Sequence, residues 1–320
     1  MVGARYGRGM AGLPQLPREA DAGGRFVRQA SRFLDCVQPD GSAPYPAAAG
    51  RYRLYVSYAC PWAHRTIIVR HLKGLHDVVP MAVVDPIRDE RGWGFGAPPG
   101  SDVDPFEGFR FLAEAYRLTD PAYDGRVTVP TLWDTVTRRV VCNESALLMR
   151  VLDEAFDAFT DTRLNLRPPE LIAELDALED RIYEAVNNGV YRCGFATTQA
   201  AYDEAFAVLF RMLDELDERL ASRRYLLGSQ LTEVDWRLFT TLIRFDPVYV
   251  THFKTNLRRI ADYPNLGPYL RDLYQHPGIA ETVDLDAIKR HYFVTHRQLN
   301  PAGIVPLGPA LDWSAPHGRG

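Results

Sequence analysis

Cys60 is the residue of this sequence whose position is best suited to chemistry. A short apolar segment, residues 52–56, runs into it, Pro61 follows at once, and residues 63–72 are rich in helix formers. The sequence therefore predicts a strand, a loop and then a cysteine at the N-terminus of a helix. Such a helix end offers unpaired N–H groups and the positive pole of the macrodipole, which favour thiolate over thiol. Proline fits the first helical position because its missing N–H costs nothing there.

The residues after Cys60 restrict the kind of thiol chemistry. A dithiol oxidoreductase has a second cysteine at the fourth position of a C-x-x-C pattern, where this sequence has Ala63. No second sulfur in the motif can resolve a disulfide on Cys60, so an external thiol has to release it. The alternative interpretation is a buried structural cysteine that happens to begin a helix, although this is a poor core position.

Length and composition indicate an ordinary globular protein. A chain of 320 residues favours two domains over one. Its 46% hydrophobic and 24% charged residues are typical of that class. The net charge is −4 and no run of Lys or Arg stands out, which argues against nucleic acid or an anionic membrane as a partner. No apolar run approaches the roughly 20 residues that a membrane-spanning helix needs.

The four cysteines are scattered without the spacing of a metal site. We therefore expect no metal, and few cysteines in a long chain suggest a reducing compartment, the cytoplasm. The first 24 residues are rich in Gly, Ala, Pro and Arg but lack the apolar core of a signal peptide. We expect about the first 20 residues to be disordered or mis-assigned, and their role stays open.

The first half of the chain alternates strand and helix signals. After an extension with a short helical stretch at 26–33, the predicted elements are a strand at 52–56, a helix at 61–73, a buried strand at 78–84, a helix at 106–117, two strands at 127–133 and 139–142, and a helix that opens at 143. This order indicates a mixed sheet covered by helices. Pro130 is unusual in a central strand and suggests a bulge or a cis bond.

A long loop, residues 85–105, interrupts this pattern and carries Trp93 between two glycines. A loop of this length inside a compact domain is usually functional or disordered. Trp93 fits no core periodicity. It is either a binding platform or a cover for the domain edge.

From residue 159 onward strand signals vanish and the helical period takes over. Helices are predicted at 168–186, 198–221, 232–250, 263–275 and 281–292, and Thr232 with Asp235 forms a capping box. We therefore expect four parts. These are an N-terminal extension (1–50), a sheet domain (51–158), an all-α helical domain (159–299) and an irregular C-terminal tail (300–320).

The chain resembles the glutathione transferase superfamily, which joins a thioredoxin-like domain to an all-α domain. Val129-Pro130 and Glu144-Ser145 match that superfamily's glutathione site. The stretches YVSYACPWAHR (55–65), RGWGF (91–95), NES (143–145), FDPVYVTHFK (245–254) and HY (291–292) together resemble the glutathionyl-hydroquinone reductases, or Xi class. The resemblance runs from about residue 24 to 309. One departure is Tyr58, where a smaller residue is expected.

The resemblance implies glutathione as co-substrate and assigns residues to it. Backbone groups of Val129 would pair with the cysteinyl part of the tripeptide. Glu144 would accept from the γ-glutamyl ammonium, and Ser145 would bind its carboxylate near a helix N-terminus. Plain helix capping is the alternative for this pair. Trp93 would line the tripeptide, and Arg117 would meet the glycyl carboxylate, with Arg126 as the alternative.

The resemblance also implies an aromatic second substrate above Cys60, in a cleft between the domains. Tyr191, Tyr249 and Tyr292 resemble the family's pocket tyrosines, although each is also compatible with a half-buried structural tyrosine. His252 and His291 are expected to be structural. The superfamily forms two-fold dimers, so we expect a homodimer.

The implied activity is glutathione-dependent reduction of S-glutathionyl-hydroquinones to hydroquinones through a mixed disulfide between Cys60 and glutathione. Three alternatives stay open. An omega-like thioltransferase or dehydroascorbate reductase would use the same cysteine on other acceptors. A conjugating transferase would activate glutathione with Ser or Tyr. A non-catalytic scaffold of this fold would not need a reactive thiol.

Overall fold

Four short strands form one mixed sheet in the first part of the chain. They are β1 (Tyr52–Val56), β2 (Met81–Val83), β3 (Thr131–Asp134) and β4 (Arg139–Cys142). In this computed structural model, which describes residues 19–319, their order is β2-β1-β3-β4. β1 pairs in parallel with β2 and antiparallel with β3, and β3 pairs antiparallel with β4. Central β1 is buried along its length, as its apolar sequence predicts.

Three helices complete this domain: α1 (Pro61–Leu72), α2 (Ala113–Thr119) and α3 (Ser145–Glu154). The observed order β-α-β-α-β-β-α confirms the predicted one, and α1 packs against α3. The Val129–Pro130 bond is cis, as Pro130 suggested. The thioredoxin-like part of the predicted fold is therefore present.

One predicted helix of this region is wrong, and another begins later than predicted. Residues 26–33 form no helix, because their backbone bonds to other parts of the chain; for example, the amide of Asn143 donates to the carbonyl of Phe33 (3.0 Å). The helix predicted at 106–117 begins only at Ala113. Before it, the Asp104 carboxylate accepts from the amides of Phe106 (2.9 Å) and Phe109 (2.7 Å), which holds that segment in turns.

Helices make up most of the chain between residues 172 and 295. Its helices are α4 (Ile172–Ile182), α5 (Gly189–Gly194), α6 (Gln199–Leu220), α7 (Glu233–Arg244), α8 (Val250–His252), α9 (Leu266–Tyr274) and α10 (Leu285–Thr295). The capping box of Thr232 and Asp235 is present at the start of α7. The helix predicted at 232–250 is interrupted after Arg244 by a π-helical turn, Phe245–Tyr249, because Pro247 cannot continue an α-helical ladder. Sequence reasoning missed α5.

The N-terminal extension contacts both domains rather than the sheet domain alone. Its Asp35 amide donates to the carbonyl of Val141 in β4 (3.1 Å), and the Arg28 guanidinium donates to Asn188 of the helical part (2.9 Å). The expectation about the first 20 residues lies largely outside the described part of the chain. The predicted domain boundaries at 50, 158 and 299 stay predictions.

Candidate active site

Cys60 lies where the sequence predicts it, immediately before α1. Its backbone is extended (φ −80°, ψ 121°), Pro61 occupies the first helical position, and the carbonyl of Cys60 accepts from the amide of His64 at 2.9 Å. The side chain is 8% exposed, and its sulfur lies 3.4 Å from the carbonyl oxygen of Val129. This contact brings the thiol beside the backbone that precedes cis-Pro130.

The other three cysteines are less suited to thiol chemistry. Cys36, Cys142 and Cys193 are free, and none of them lines the cleft at Cys60. Burial raises the pKa of Cys142 to about 12 and that of Cys193 to about 12, which keeps both as neutral thiols at neutral pH. Cys60 is therefore the thiol that the cleft presents to a substrate.

The cleft at Cys60 has a volume of about 270 Å³ and lies between the two domains. Residues of the N-terminal extension, the sheet domain and the helical domain line it together. These residues include Arg28, Ser31, Cys60, Trp62, Arg88, Trp93, Arg126, Val129, Glu144, Ser145, Tyr191, His291 and His296. Five of the predicted glutathione and thiol residues, namely Cys60, Trp93, Val129, Glu144 and Ser145, thus lie around one cavity.

A helix end positions Glu144 and Ser145. Glu144 is the N-cap of α3 and accepts from the amide of Ala146 (3.2 Å), while its other oxygen accepts from the Ser31 hydroxyl (2.9 Å). The Ser145 hydroxyl accepts from the buried guanidinium of Arg65 at 3.3 Å. Glu144 therefore does cap the helix, and the same pair presents oxygen atoms to the cleft beside unpaired N–H groups of α3.

Trp93 is 4% exposed and forms part of the cleft wall rather than only a cover at the domain edge. Its ring stacks on the imidazole of His291 at 5.2 Å with an interplanar angle of 14°. The guanidinium of Arg88 lies over the Trp93 ring, 4.8 Å from the ring centroid. Sequence reasoning found Trp93 through its glycines but had no signal for Arg88.

The structure does not bring Arg117 to the cleft. Arg117 is a half-buried residue near the end of α2, and it is absent from the cleft lining within residues 19–319. The alternative, Arg126, lines the cleft because it lies on the segment that leads to Val129. Both oxygens of Glu19 accept from Arg126 Nη1 at 2.8 Å.

The three predicted tyrosines meet through their hydroxyl groups. The oxygen of Tyr292 lies 2.7 Å from that of Tyr191 and 2.9 Å from that of Tyr249. Tyr191 lines the cleft, whereas Tyr249 and Tyr292 lie behind it and are at most 1% exposed. Burial raises the pKa of all three, so each hydroxyl keeps its proton at neutral pH. Tyr191 can therefore present its hydroxyl to a substrate, while the hydroxyls of Tyr292 and Tyr249 continue the hydrogen-bond network behind it.

Buried neutral histidines pack beside the tyrosines. His291 lines the cleft and donates from Nδ1 to the carbonyl of Pro86 (2.6 Å), and burial lowers its pKa to about 3. His252 Nε2 lies 3.2 Å from His296 Nδ1, and burial lowers the pKa of His252 to about 4. His252 does not line the cleft, and its structural role stays a prediction, whereas His291 forms part of the cleft.

Arg244 of α7 holds the loop before Cys60. Its fully buried guanidinium donates to the carbonyls of Tyr58 (2.7 Å) and Ala59 (3.0 Å), and to His64 Nδ1 (3.0 Å). His64 therefore carries its proton on Nε2 and donates to the Thr282 hydroxyl at 2.8 Å. This clamp ties the helical domain to both ends of the turn that presents the cysteine.

Two negative findings apply to residues 19–319. No group of three or more His, Cys, Asp or Glu residues there could hold a metal ion. No helix in this range is long and apolar enough to cross a membrane.

Two protein families match the chain. The family described as the N-terminal domain of glutathione S-transferase matches residues 59–155, and the one described as its C-terminal domain matches residues 199–272. Glutathionyl-hydroquinone reductase YqjG of Escherichia coli is 51% identical over 305 residues, 93% of each chain. Glutathionyl-hydroquinone reductase PcpF of Sphingobium chlorophenolicum is 48% identical over 291 residues, 90% of this chain and 91% of the relative.

A solved structure is similar to nearly the whole fold. The glutathione-bound structure of YqjG from Escherichia coli covers 90% of this chain and 96% of its own, with 50% identity and a TM-score of 0.86. The likeness therefore extends over both domains and the cleft between them.

Proposed function

The chain belongs to the glutathionyl-hydroquinone reductases of the glutathione S-transferase superfamily, and on this premise we propose that it reduces S-glutathionyl-hydroquinones to hydroquinones with glutathione. The observation that carries this proposal is a single thiol at a helix N-terminus inside the cleft, with Ala63 where a dithiol enzyme has its second cysteine. Such a thiol needs an external thiol to complete a reaction cycle, and glutathione is that thiol here.

The wall formed by the sheet domain suits the tripeptide. Val129 presents its backbone beside the Cys60 sulfur, which fits pairing with the cysteinyl part of glutathione as an added strand. Glu144 accepts an ammonium group, and Ser145 with the N–H groups of α3 binds a carboxylate. We assign the glycyl carboxylate to Arg126 instead of Arg117, because Arg126 lines the cleft. Trp93 contacts the tripeptide from the side.

The wall formed by the helical domain suits an aromatic ring. Tyr191 offers its hydroxyl to the ring oxygens, and Tyr292 and Tyr249 keep that hydroxyl oriented. Trp62 stacks near Tyr191, with ring centroids 6.3 Å apart and an interplanar angle of 28°. A flat hydroquinone fits between such aromatic faces.

The reaction proceeds in two thiol exchanges. The sulfur-bearing ring carbon of the conjugate takes a proton, the Cys60 thiolate attacks the glutathione sulfur, and the carbon–sulfur bond breaks. A disulfide between Cys60 and glutathione remains. A second glutathione thiolate attacks the glutathione sulfur of that disulfide, which frees the Cys60 thiolate and forms glutathione disulfide. The net reaction consumes one conjugate and one glutathione and produces one hydroquinone and one glutathione disulfide.

An activity panel tests this function. Wild-type protein should deglutathionylate a glutathionyl-hydroquinone with ping-pong kinetics, and faster than it reduces dehydroascorbate or conjugates a halo-nitroaromatic. Cys60→Ser should lose most of this activity, because a hydroxyl is not ionised at neutral pH, whereas Cys36→Ser should retain it. If Cys60→Ala keeps near-wild-type activity on the conjugate, the mechanism is wrong; if dehydroascorbate is the better substrate, the omega-like alternative replaces it.

We also propose, from the family rather than from the geometry, that the enzyme is a homodimer and works in the cytoplasm. A mass close to twice 36.1 kDa by light scattering is the expected result for the dimer.

A further inference from the structure

Arg88 differs from the other arginines of the cleft because its guanidinium lies over the Trp93 ring and has no hydrogen-bond acceptor or anion among residues 19–319. Arg126 pairs with Glu19, and Arg28 donates to the side-chain oxygen of Asn188 at 2.9 Å. No hydrogen bond or ion pair from the Arg88 guanidinium to any residue within 19–319 is formed, and its Nε is buried without a partner. Its backbone amide, by contrast, is fixed by the Thr295 hydroxyl at 3.2 Å.

An unpaired buried guanidinium is costly, so its presence needs a reason. Arg88 is only 8% exposed and lines the cleft. Burial lowers its pKa to about 9, which still leaves it a cation at neutral pH. A buried charge without a partner of opposite charge is destabilising. An anion that enters the cleft beside Arg88 would offset this cost.

The surroundings of Arg88 decide which anion this is. Two residues of α10 lie near Arg88. The Thr295 hydroxyl accepts from its backbone amide, and His291 stacks on Trp93, over whose ring the Arg88 guanidinium lies. α10 also carries Tyr292 of the tyrosine network. The polar groups assigned to the γ-glutamyl end of the tripeptide, Glu144 and Ser145, lie at the start of α3 instead.

We propose that Arg88 binds the ring oxyanion of the hydroquinone half of the conjugate. This inference rests on the function proposed above. Transfer of a ring hydroxyl proton to the sulfur-bearing carbon gives the keto tautomer of the conjugate. The Cys60 thiolate then attacks the glutathione sulfur, the carbon–sulfur bond breaks, and its electron pair passes through the ring onto the ketone oxygen. Arg88 stabilises the oxyanion so formed, which afterwards takes a proton from solvent.

The role predicts an effect on one half-reaction only. Only the first exchange involves the hydroquinone, so Arg88→Met should slow single-turnover formation of the Cys60–glutathione disulfide by about 10- to 100-fold, the range of one charge-assisted hydrogen bond. Release of Cys60 by glutathione from the preformed disulfide should be unchanged. Arg88→Lys, which keeps the charge, should recover part of the first rate, and Arg258→Met, an exposed arginine far from the cleft lining, should change neither.

A binding measurement tests the same role without turnover. In a Cys60→Ser background, 4-nitrophenol, whose phenolate absorbs visible light, should bind more tightly as it ionises. The added change Arg88→Met should abolish that preference for the phenolate while leaving the neutral phenol bound as before. This titration is informative even if the wild-type enzyme never deglutathionylates a hydroquinone, so failure of the proposed function and failure of this inference are distinguishable.

Three results would overturn the inference. Equal slowing of both half-reactions would assign Arg88 to the glutathione carboxylate. A shifted pH profile of Cys60 alkylation in Arg88→Met would assign it to the cysteine thiolate. Unchanged phenolate binding and an unchanged first half-reaction would leave Arg88 without an anion in this cleft.

Discussion

Replacing Arg244 with methionine removes the clamp between the helical domain and the loop before Cys60. Methionine keeps most of the volume but none of the donors. The carbonyls of Tyr58 and Ala59 and the Nδ1 of His64 would each lose a partner at 2.7–3.0 Å. Each buried polar group left unsatisfied costs about 1–3 kcal/mol, so three of them give an expected loss of about 3–9 kcal/mol in the free energy of unfolding.

The same change should impair catalysis beyond its effect on stability. The loop fixes where the thiol sits, and a displacement of about 1 Å from the reacting position can cost about 100-fold in rate. Cys60, now 8% exposed, should become more accessible. Alkylation of Cys60 by iodoacetamide should therefore become faster in Arg244→Met while deglutathionylation becomes slower.

Urea unfolding, alkylation kinetics and turnover together check this prediction. Arg258→Met is the matched control, because Arg258 is an exposed arginine in an ion pair with Asp214 whose loss costs at most about 1 kcal/mol. The stability, alkylation rate and turnover of Arg244→Lys should lie between those of the wild type and those of Arg244→Met. A variant Arg244→Met that loses less than about 1 kcal/mol and turns over normally would refute the clamp.

Three further predictions concern the tyrosines, the helix cap and the buried histidines. Tyr292→Phe removes the central hydroxyl of the network. In single-turnover assays this change should slow the first half-reaction but not the release by glutathione. A first half-reaction as fast in Tyr292→Phe as in the wild type would contradict a role for the network. Glu144→Ala should cost about 1 kcal/mol in urea unfolding through the lost N-cap and should raise KM for glutathione, and an unchanged KM would leave capping as its only role. Burial lowers the pKa of His252 from 6.5 to about 4, so this histidine stays neutral in the folded protein between about pH 4 and pH 6.5. In that range the unfolded chain binds one more proton than the folded one. The free energy of unfolding should therefore fall by about 1.4 kcal/mol per pH unit as the pH drops toward 4. His252→Gln should weaken this dependence of the free energy of unfolding on pH, and an unchanged dependence would show that His252 does not cause it.

The parts of the site predictable from sequence are those fixed by local structure. Cys60 follows a strand and precedes Pro61 and a helix, and Glu144 precedes a helix, so chain order alone sets their places. The element order of the sheet domain follows from short apolar runs in the same way. The assignments to glutathione and to an aromatic ring came from family resemblance instead.

Other features depend on contacts between distant segments, which one sequence does not reveal. Residues 26–33 resemble a helix locally, but the amide of Val27 donates to the carbonyl of Glu19, and the carbonyl of Phe33 accepts from the amide of Asn143. Spacing favours Arg117 over Arg126, and only the path of the chain toward cis-Pro130 brings Arg126 to the cleft. Whether Arg88 has a hydrogen-bond acceptor depends on the side chains that surround it in the fold, so no local sequence pattern could predict that its Nε lacks one.

Mass spectrometry of the intact protein tests the central claim most directly. Wild-type enzyme mixed with a glutathionyl-hydroquinone in the absence of free glutathione should gain one glutathione, peptide mapping should place it on Cys60, and one equivalent of hydroquinone should be released. Added glutathione should then return the protein to its original mass and yield glutathione disulfide. A protein that releases hydroquinone without any adduct on Cys60, or that carries the glutathione on Cys36, Cys142 or Cys193, would contradict the mechanism.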